Sequence, residues 1–434
     1  MRVLFTPFPA THHVNAQVPL AWALRSAGHD VRMASRPEVH EDILAAGLAA
    51  VPIGEADGQD GATGPGRVEE PPASSGPEEE AWSGDFPSGD SAEEPAHARV
   101  HTAFAARARH VRRTTASRPV IAELVGFVRD WRPALVVWDP TDHAGAVAAM
   151  ADGAAHARLV SGLDLVGWTR GRYRALPQAH PDAPREDAFR EWLGPILAEH
   201  GRVFAEEAVL GQWTVNSLPA PLRLPVSHRE VPVRHVPYNG FSHMPDWLCE
   251  PPTHPRVCLA LDRFFLGVDG LPASAPALLD AVCDVDAEVV VTLPAGLPDA
   301  LGALPDNVRL ADGVPLDLLL PSCVTLIHHG GPNDIAGALA HGVPQLMLPT
   351  RRRPGTPEAR RVAAFGAGLC RPAEELSAAE LRGLLLRVLR TPSFARAAAA
   401  LRAASLATPA PADLVPVLER LTTGHRTSQG VKSR

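Results

Sequence analysis

Twice along the chain the same punctuation appears: a short apolar strand, a helix, then a second strand about 30 residues after the first. The first instance is "RVLFTPF", the helix pattern "VPLAWALRSAG" with Pro19 in its first turn and Gly28 as its stop, then "DVRMAS". "ALVVWD" (134–139) follows as a later strand of the same series, with the small-residue helix "AGAVAAMADG" behind it. The second series starts near Arg256 and runs "RVCLAL", "EVVVTL", "VRLADGV", "VTLIHHGG" and "PQLMLP", with helical stretches such as "APALLDAVCDV" between. Strands that alternate with helices cannot pair as hairpins. They must cross over, which gives parallel sheets covered on both faces. At 434 residues the chain is too long for one ordinary core, so the expectation is an α/β protein of two doubly wound domains. In that fold ligands bind outside the carboxyl ends of the strands, so the cleft between the domains is the expected site.

The remaining segments fall into place around these two series. Residues 1–235 form the expected first domain. Residues 236–255, "VPYNGFSHMPDWLCEPPTHP", are Pro-rich and aperiodic and read as a linker. The second domain is expected over 256–420, with 421–434 as a frayed tail. Inside the first domain, residues 54–95 are rich in Gly, Pro, Ser and Glu and read as a mobile acidic insertion, with too little apolar surface to offset ordering entropy. From Glu55 to Glu94 there are twelve Asp/Glu against Arg67 alone, a net of −11 where the whole chain is −8. The rest is therefore +3, near neutral, which argues against a nucleic-acid footprint. No apolar run is long enough to span a bilayer, and "MRVLFTPFP" lacks a signal-peptide core, so a cytoplasmic protein without membrane contact is expected. The five cysteines are scattered, with no CxxC pair, and read as free thiols rather than disulfides or a zinc site.

Two strand ends could carry chemistry. After "VTLI" the chain turns through His328, His329, Gly330 and Gly331, and a helix is expected to begin near Asn333–Ile335. Free backbone N–H groups and the helix dipole attract an anion there, glycine permits close approach, and His329 could donate to a phosphate oxygen. After the first strand come Thr11, His12 and His13; Asp139 ends another strand of the same sheet. A histidine at a carboxyl edge can act as a general base near neutral pH, and a carboxylate could orient it and stabilise its imidazolium. The plainer reading leaves the histidines and Asp139 as loop polars and the glycines as steric fillers.

The segments "MRVLFTPFPATHHVNAQVPLAWALRSAGHDVRMAS", "WRPALVVWDP", "EEAVLGQWTVNSLPAPLRLP", "LPDNVRLADGVPLDLLLPSC", "HHGG" and "ALAHGVPQLMLP" resemble the GT-B nucleotide-sugar glycosyltransferases. More narrowly, they resemble the actinobacterial enzymes that attach deoxysugars to polyketide and macrolide antibiotics, such as the erythromycin desosaminyltransferase. The resemblance spans most of the chain. It implies a GT-B fold of two facing Rossmann-like domains and an inverting transfer from a dTDP-type sugar to a hydroxyl, with no metal or other cofactor. It carries over His13 as the base and Asp139 as its partner. It places Val314 beside the nucleobase, and His329, Gly330 and Gly331 at the diphosphate. It also brings a P450-like auxiliary protein as a candidate partner, and a homodimer stays open.

The chain departs from the family pattern at the donor. Where the family reads H-G-G-x-G-[ST], this sequence has Asn333 for a glycine and Asp334 for a phosphate-binding hydroxyl. A carboxylate about 4 Å from a phosphate would repel it by several kcal/mol, whereas Asp is a good N-cap for an unoccupied helix. Arg263, Phe264 and Phe265 stand where a small Gly/Ser/Thr turn is usual. A gap-free alignment puts Arg353 and Ala359 at the acid and Gln that touch the sugar. Arg263 and Arg351–Arg353 could supply phosphate charge instead. Two readings follow: an active transferase with changed donor contacts, or a non-catalytic paralogue that keeps the fold.

Overall fold

The computed structural model describes residues 1–55, 97–179, 186–240, 243–261, 274–283, 285–293, 304–350 and 356–432. Most of the acidic insertion, Arg263, Phe264, Phe265 and Arg351–Arg353 lie outside the described residues.

Seven strands form the first sheet: β1 (Arg2–Thr6), β2 (Asp30–Ser35), β3 (Ala49–Pro52), β4 (Leu135–Trp138), β5 (Ala155–Val160), β6 (Trp213–Asn216) and β7 (Glu230–Pro232). All pairs are parallel, in the order β3-β2-β1-β4-β5-β6-β7. The second sheet holds β8 (Arg256–Ala260), β9 (Glu288–Leu293), β10 (Val308–Asp312), β11 (Cys323–His328), β12 (Gln345–Met347) and β13 (Gly368–Cys370). It too is parallel, in the order β10-β9-β8-β11-β12-β13. Central strands such as β4 and β8 are buried at every residue, which is why β4, and β8 after Arg256, read as apolar runs rather than alternating ones. In both sheets the strand order reverses once, between β1 and β4 and between β8 and β11. The chain leaves in opposite directions there and opens a crevice at the carboxyl ends.

Helix α1 (Thr11–Ser26) begins seven residues before "VPLAWALRSAG" and takes His12 and His13 into its first turn. The signal was hidden because its N-cap, Ala10, makes no side-chain capping bond, and Pro19 lies inside the helix instead of opening it. The other helices that position the site are α2 (His97–Thr114), α3 (Ala144–Asp152), α4 (Pro332–His341), α5 (Pro357–Phe365) and α6 (Pro411–Lys432).

α6 changes the division expected from sequence. Leu414, Val415 and Leu418 belong to the apolar cluster of the first sheet, with Val14, Val18 and Val31. Glu419 meets His29 at 3.1 Å, and His425 meets Gln212 at 3.3 Å. The segment read as a tail continues this helix to Lys432 and buries Thr422. Its periodicity shows an apolar face; nothing in that pattern says which sheet the face will meet. A further apolar cluster joins the halves: Leu163, Trp168 and Leu222 from the first pack with Ile335, Met347 and Val362 from the second. Among the described residues no helix is long and apolar enough to cross a membrane. Leu418→Ala removes a fully buried side chain and should cost about 3 kcal/mol. Urea unfolding measures the loss, and hydrogen exchange should quicken in α1, at the other end of the chain.

Candidate active site

The register of the first sheet builds the site. Thr6 at the end of β1 pairs with Trp138 at the end of β4, so the next residue, Asp139, emerges into the crevice between them. The chain after β1 turns back into α1 and presents His13 from its first turn. Nδ1 of His13 lies 2.8 Å from Oδ2 of Asp139. The same oxygen accepts from Gln17 Nε2 at 3.3 Å, and Oδ1 accepts from the Thr141 backbone N–H at 2.9 Å and its hydroxyl at 2.5 Å. Asp139 is only 3% exposed. Burial alone would raise its pKa, but His13 and Thr141 outweigh burial and hold the carboxyl below its ordinary range. An ionised Asp139 accepts the Nδ1 proton of His13, and Nε2 is then the nitrogen able to take a proton. Phe8 packs edge-on to the His13 ring at 5.0 Å, and His12 lies 4.3 Å from it.

The second crevice holds the glycine turn. Gly330 has φ +94°, the left-handed region that favours glycine, and Gly331 is the N-cap of α4. A side chain on Gly331 would put its Cβ 2.7 Å from His329 Nε2. The helix starts at Pro332, ahead of the expected Asn333–Ile335, because proline suits the first helical position, where its missing N–H is not needed. Asp334 is therefore the third helical residue and not the cap, and α4 has no side-chain capping bond. Its Oδ2 turns toward the imidazoles, 3.5 Å from His328 Nδ1 and 3.7 Å from His329 Nδ1. The buried His328 is itself fixed, with Nε2 3.0 Å from Gln345 Oε1 and Nδ1 accepting from Gly330 N–H at 3.2 Å.

A cavity lies between the halves. α1 contributes His12 and Asn15, α4 contributes Asn333 and Asp334, and Ser161, His235, Asn239 and Asp317 also line it. Asp317 also meets His341 at 2.6 Å. Burial pushes His235 down to about 4, against the pull of Asp317, so it is neutral near pH 7. Val314, like Leu316, packs against the apolar cluster that holds Cys258 and Leu319, and it is Leu316 that reaches the cavity wall. Ala359 is fully buried in the cluster that joins the halves. A second cavity sits on the carboxyl edge of the first sheet, lined by Thr6, Ser35, Arg36, Thr114, Ser117 and Asp142. Asp164, His228 and Glu230 also come within metal-ligand spacing of one another. Arg158, fully buried, already reaches Asp164 at 2.5 Å and supplies the positive charge there.

The family model described as "Erythromycin biosynthesis protein CIII-like, N-terminal domain" matches residues 22–65 and 82–262, and the corresponding C-terminal model matches 276–421. The chain belongs to this family. The unmatched residues between 65 and 82 lie in the acidic stretch. Among CIII-like relatives, the aclacinomycin-T 2-deoxy-L-fucose transferase of Streptomyces galilaeus is 42% identical over 453 residues, covering 100% of this chain and 98% of its own. The 10-deoxymethynolide desosaminyltransferase of Streptomyces venezuelae is 41% identical, covering 98% of each. The solved structure of the glycosyltransferase VinC in complex with dTDP superposes with a TM-score of 0.82 at 34% identity, over 98% of this chain and all of that one. The spinosyn forosaminyltransferase SpnP gives 0.77 at 37%, over 98% and 99%. The two facing sheets are those of the GT-B glycosyltransferases, and this family's relatives are deoxysugar transferases of macrolide and anthracycline antibiotics.

Sequence reasoning singled out His13 and Asp139 but missed the residues that hold them. Gln17 lies one helical turn after His13 and reaches the same carboxylate, a spacing visible in the sequence once α1 is started at Thr11. Asp142 was also missed. It accepts from the backbone N–H groups of Ala144 at 2.9 Å and Ala116 at 3.3 Å. Burial pushes its carboxyl up to about 6, although those N–H groups pull it down. An acid with a raised folded pKa binds its proton more tightly when folded, so its contribution falls as pH rises from about 4 through about 6. In Asp142→Asn the amide oxygen can take the same two bonds. The variant should be more stable than the parent at pH 8 by about 1 kcal/mol, allowing for water at the pocket wall, and should match it at pH 4. Urea midpoints across that range measure the difference.

Proposed function

We propose that the protein transfers a deoxysugar from a dTDP-type nucleotide sugar to a hydroxyl of a polyketide-derived acceptor, with inversion at the sugar. The observation that carries this reading is the 2.8 Å pair of His13 and Asp139 at the crevice of the acceptor-side sheet. The cavity facing α4 lies beside it. Nε2 of His13 takes the proton as the acceptor oxygen attacks the anomeric carbon. The bond to the diphosphate breaks from the opposite face, and the leaving group keeps the bonding electrons. Asp139 stabilises the imidazolium formed. The backbone N–H groups of the turn at Gly330–Gly331 and the dipole of α4 receive the developing diphosphate charge, so no metal is required in this scheme. The cavity bearing Thr6 and Asp142, on the same sheet edge, is the proposed acceptor side. The names of the relatives support the substrate classes, and the complex of VinC with dTDP supports the nucleotide.

His13→Ala should lower turnover by at least about a hundredfold, as expected for removal of a general base, while dTDP affinity stays within about twofold. Steady-state rates and calorimetry measure the two. No binding heat with millimolar dTDP would remove the transferase reading, and retained turnover in His13→Ala would remove His13 as base.

The second reading, a non-catalytic paralogue, rests on Asp334, whose carboxylate sits in the first turn of α4 and lines the cavity. His329, with Nδ1 3.7 Å from Oδ2, gives that charge a partner within the turn when its ring is protonated, which lessens the penalty on a diphosphate. Asp334→Ser should therefore tighten dTDP by about tenfold, well short of the bare repulsion of about 4 kcal/mol at intermediate dielectric. Tightening of a thousandfold or more, from a parent that binds dTDP barely or not at all, would favour the paralogue.

A further inference from the structure

Helix α5 lies at the seam between the two halves, and three of its residues reach in different directions. Thr356, its N-cap, donates its hydroxyl to the carbonyl of Gly330 at 3.1 Å and accepts from Ala359 N–H at 3.2 Å. That ties the helix to the glycine turn of the second sheet. Glu358 Oε1 accepts from the backbone N–H of Leu163 at 2.9 Å, in the loop that follows β5 of the first sheet. Arg361 donates from Nε to Leu222 O at 2.8 Å and from Nη2 to Arg223 O at 3.1 Å, also in the first half. Glu358 and Arg361, three residues apart, share one face.

The first half is shaped to receive the carboxylate. Gly162 has no side chain where Glu358 arrives, and a Cβ there would lie 2.9 Å from Glu358 Oε1. Arg107 of α2, whose Nε and Nη2 atoms are buried, is held down to about 9 by burial, with Glu358 and Asp164 pulling the other way. A backbone donor of the first half thus meets Glu358, and the charge of Arg107 is felt there.

We propose that Glu358 is a positioning residue for the transfer, a strut that sets the spacing between the glycine turn and the acceptor-side half through the Gly330–Thr356 and Glu358–Leu163 bonds. This rests on the transferase reading, in which donor and acceptor are held by different halves and must come to within about 3–3.5 Å. A misplacement of about 1 Å can cost about a hundredfold in rate.

The test combines kinetics with hydrogen exchange on the full chain. Glu358→Ala should lower kcat by about a hundredfold, with dTDP affinity and Tm close to the parent's. Glu358→Gln should restore most of the rate, because its amide oxygen can still accept from Leu163. Gly162→Ala should reproduce Glu358→Ala by displacing the carboxylate, and the double variant should be no worse than either alone. In both single variants exchange should quicken in residues 161–164 and also in 330–335. An Ala variant with the parent's kcat, additive losses in the double variant, or quickening confined to 161–164 would overturn the strut. If the parent itself transfers no sugar, exchange coupling between 161–164 and 330–335 would sustain the strut while the transferase reading fell; absence of that coupling would overturn both.

Discussion

The first half depends on one buried carboxylate. Asp139 stands at the end of a central strand, almost without access to water, and a bare charge there would be unstable. Three neighbours compensate it: His13 and Gln17 from α1 and Thr141 from its own loop. Two of these lie on one face of a helix that has no capping side chain of its own. The carboxylate therefore docks the first turn of α1 onto the end of β4 as well as orienting a ring. It also selects the Nδ1–H tautomer of His13, leaving the basic nitrogen at Nε2. Packing and ring orientation share a single set of bonds, so loosening the turn would also misplace the His13 ring.

The same coupling recurs at the other crevice. His328 is locked between Gln345 and the N–H of Gly330, so the turn is shaped from within. Asp334 was the residue that most strained the reading of this turn from sequence. As an assumed cap it would have closed the helix start to any anion. Proline at 332 moves the helix start forward, and the acid becomes a first-turn residue. There the dipole favours a negative charge and two imidazoles lie within 4 Å.

How much of this could be read beforehand follows from which forces are local. The strands "RVLFTPF" and "ALVVWD" were legible because central parallel strands are apolar on both faces. His13 and Asp139 were legible as strand-end residues, but their contact needed the strand order, which no local pattern contains. α1 was started too late because Thr11, His12 and His13 carry neither a capping bond nor an apolar period, while Pro19 imitates a helix start. The partner of α6 was illegible for a different reason. Leu414, Val415 and Leu418 announce a buried face, but only the chain's return path decides that it covers the first sheet.

That return path bears on the chemistry between the halves. α6 and the cluster around Leu163, Leu222 and Val362 hold the halves by apolar contact, which is strong but tolerant of small slides. Directional bonds are needed to define a distance, and Thr356, Glu358 and Arg361 supply them beside the glycine turn. The polar wall of the cavity includes histidines, asparagines, Ser161, Tyr238 and two acids, with no lysine or arginine among its described residues. In the proposed transfer, charge on a departing diphosphate would meet the N–H groups and helix dipole of this turn, whose effect falls off within about one turn. A contribution from short-range dipoles tolerates little error in spacing. The polar bonds at the seam hold that spacing beside a cavity whose wall carries Asp317 and Asp334.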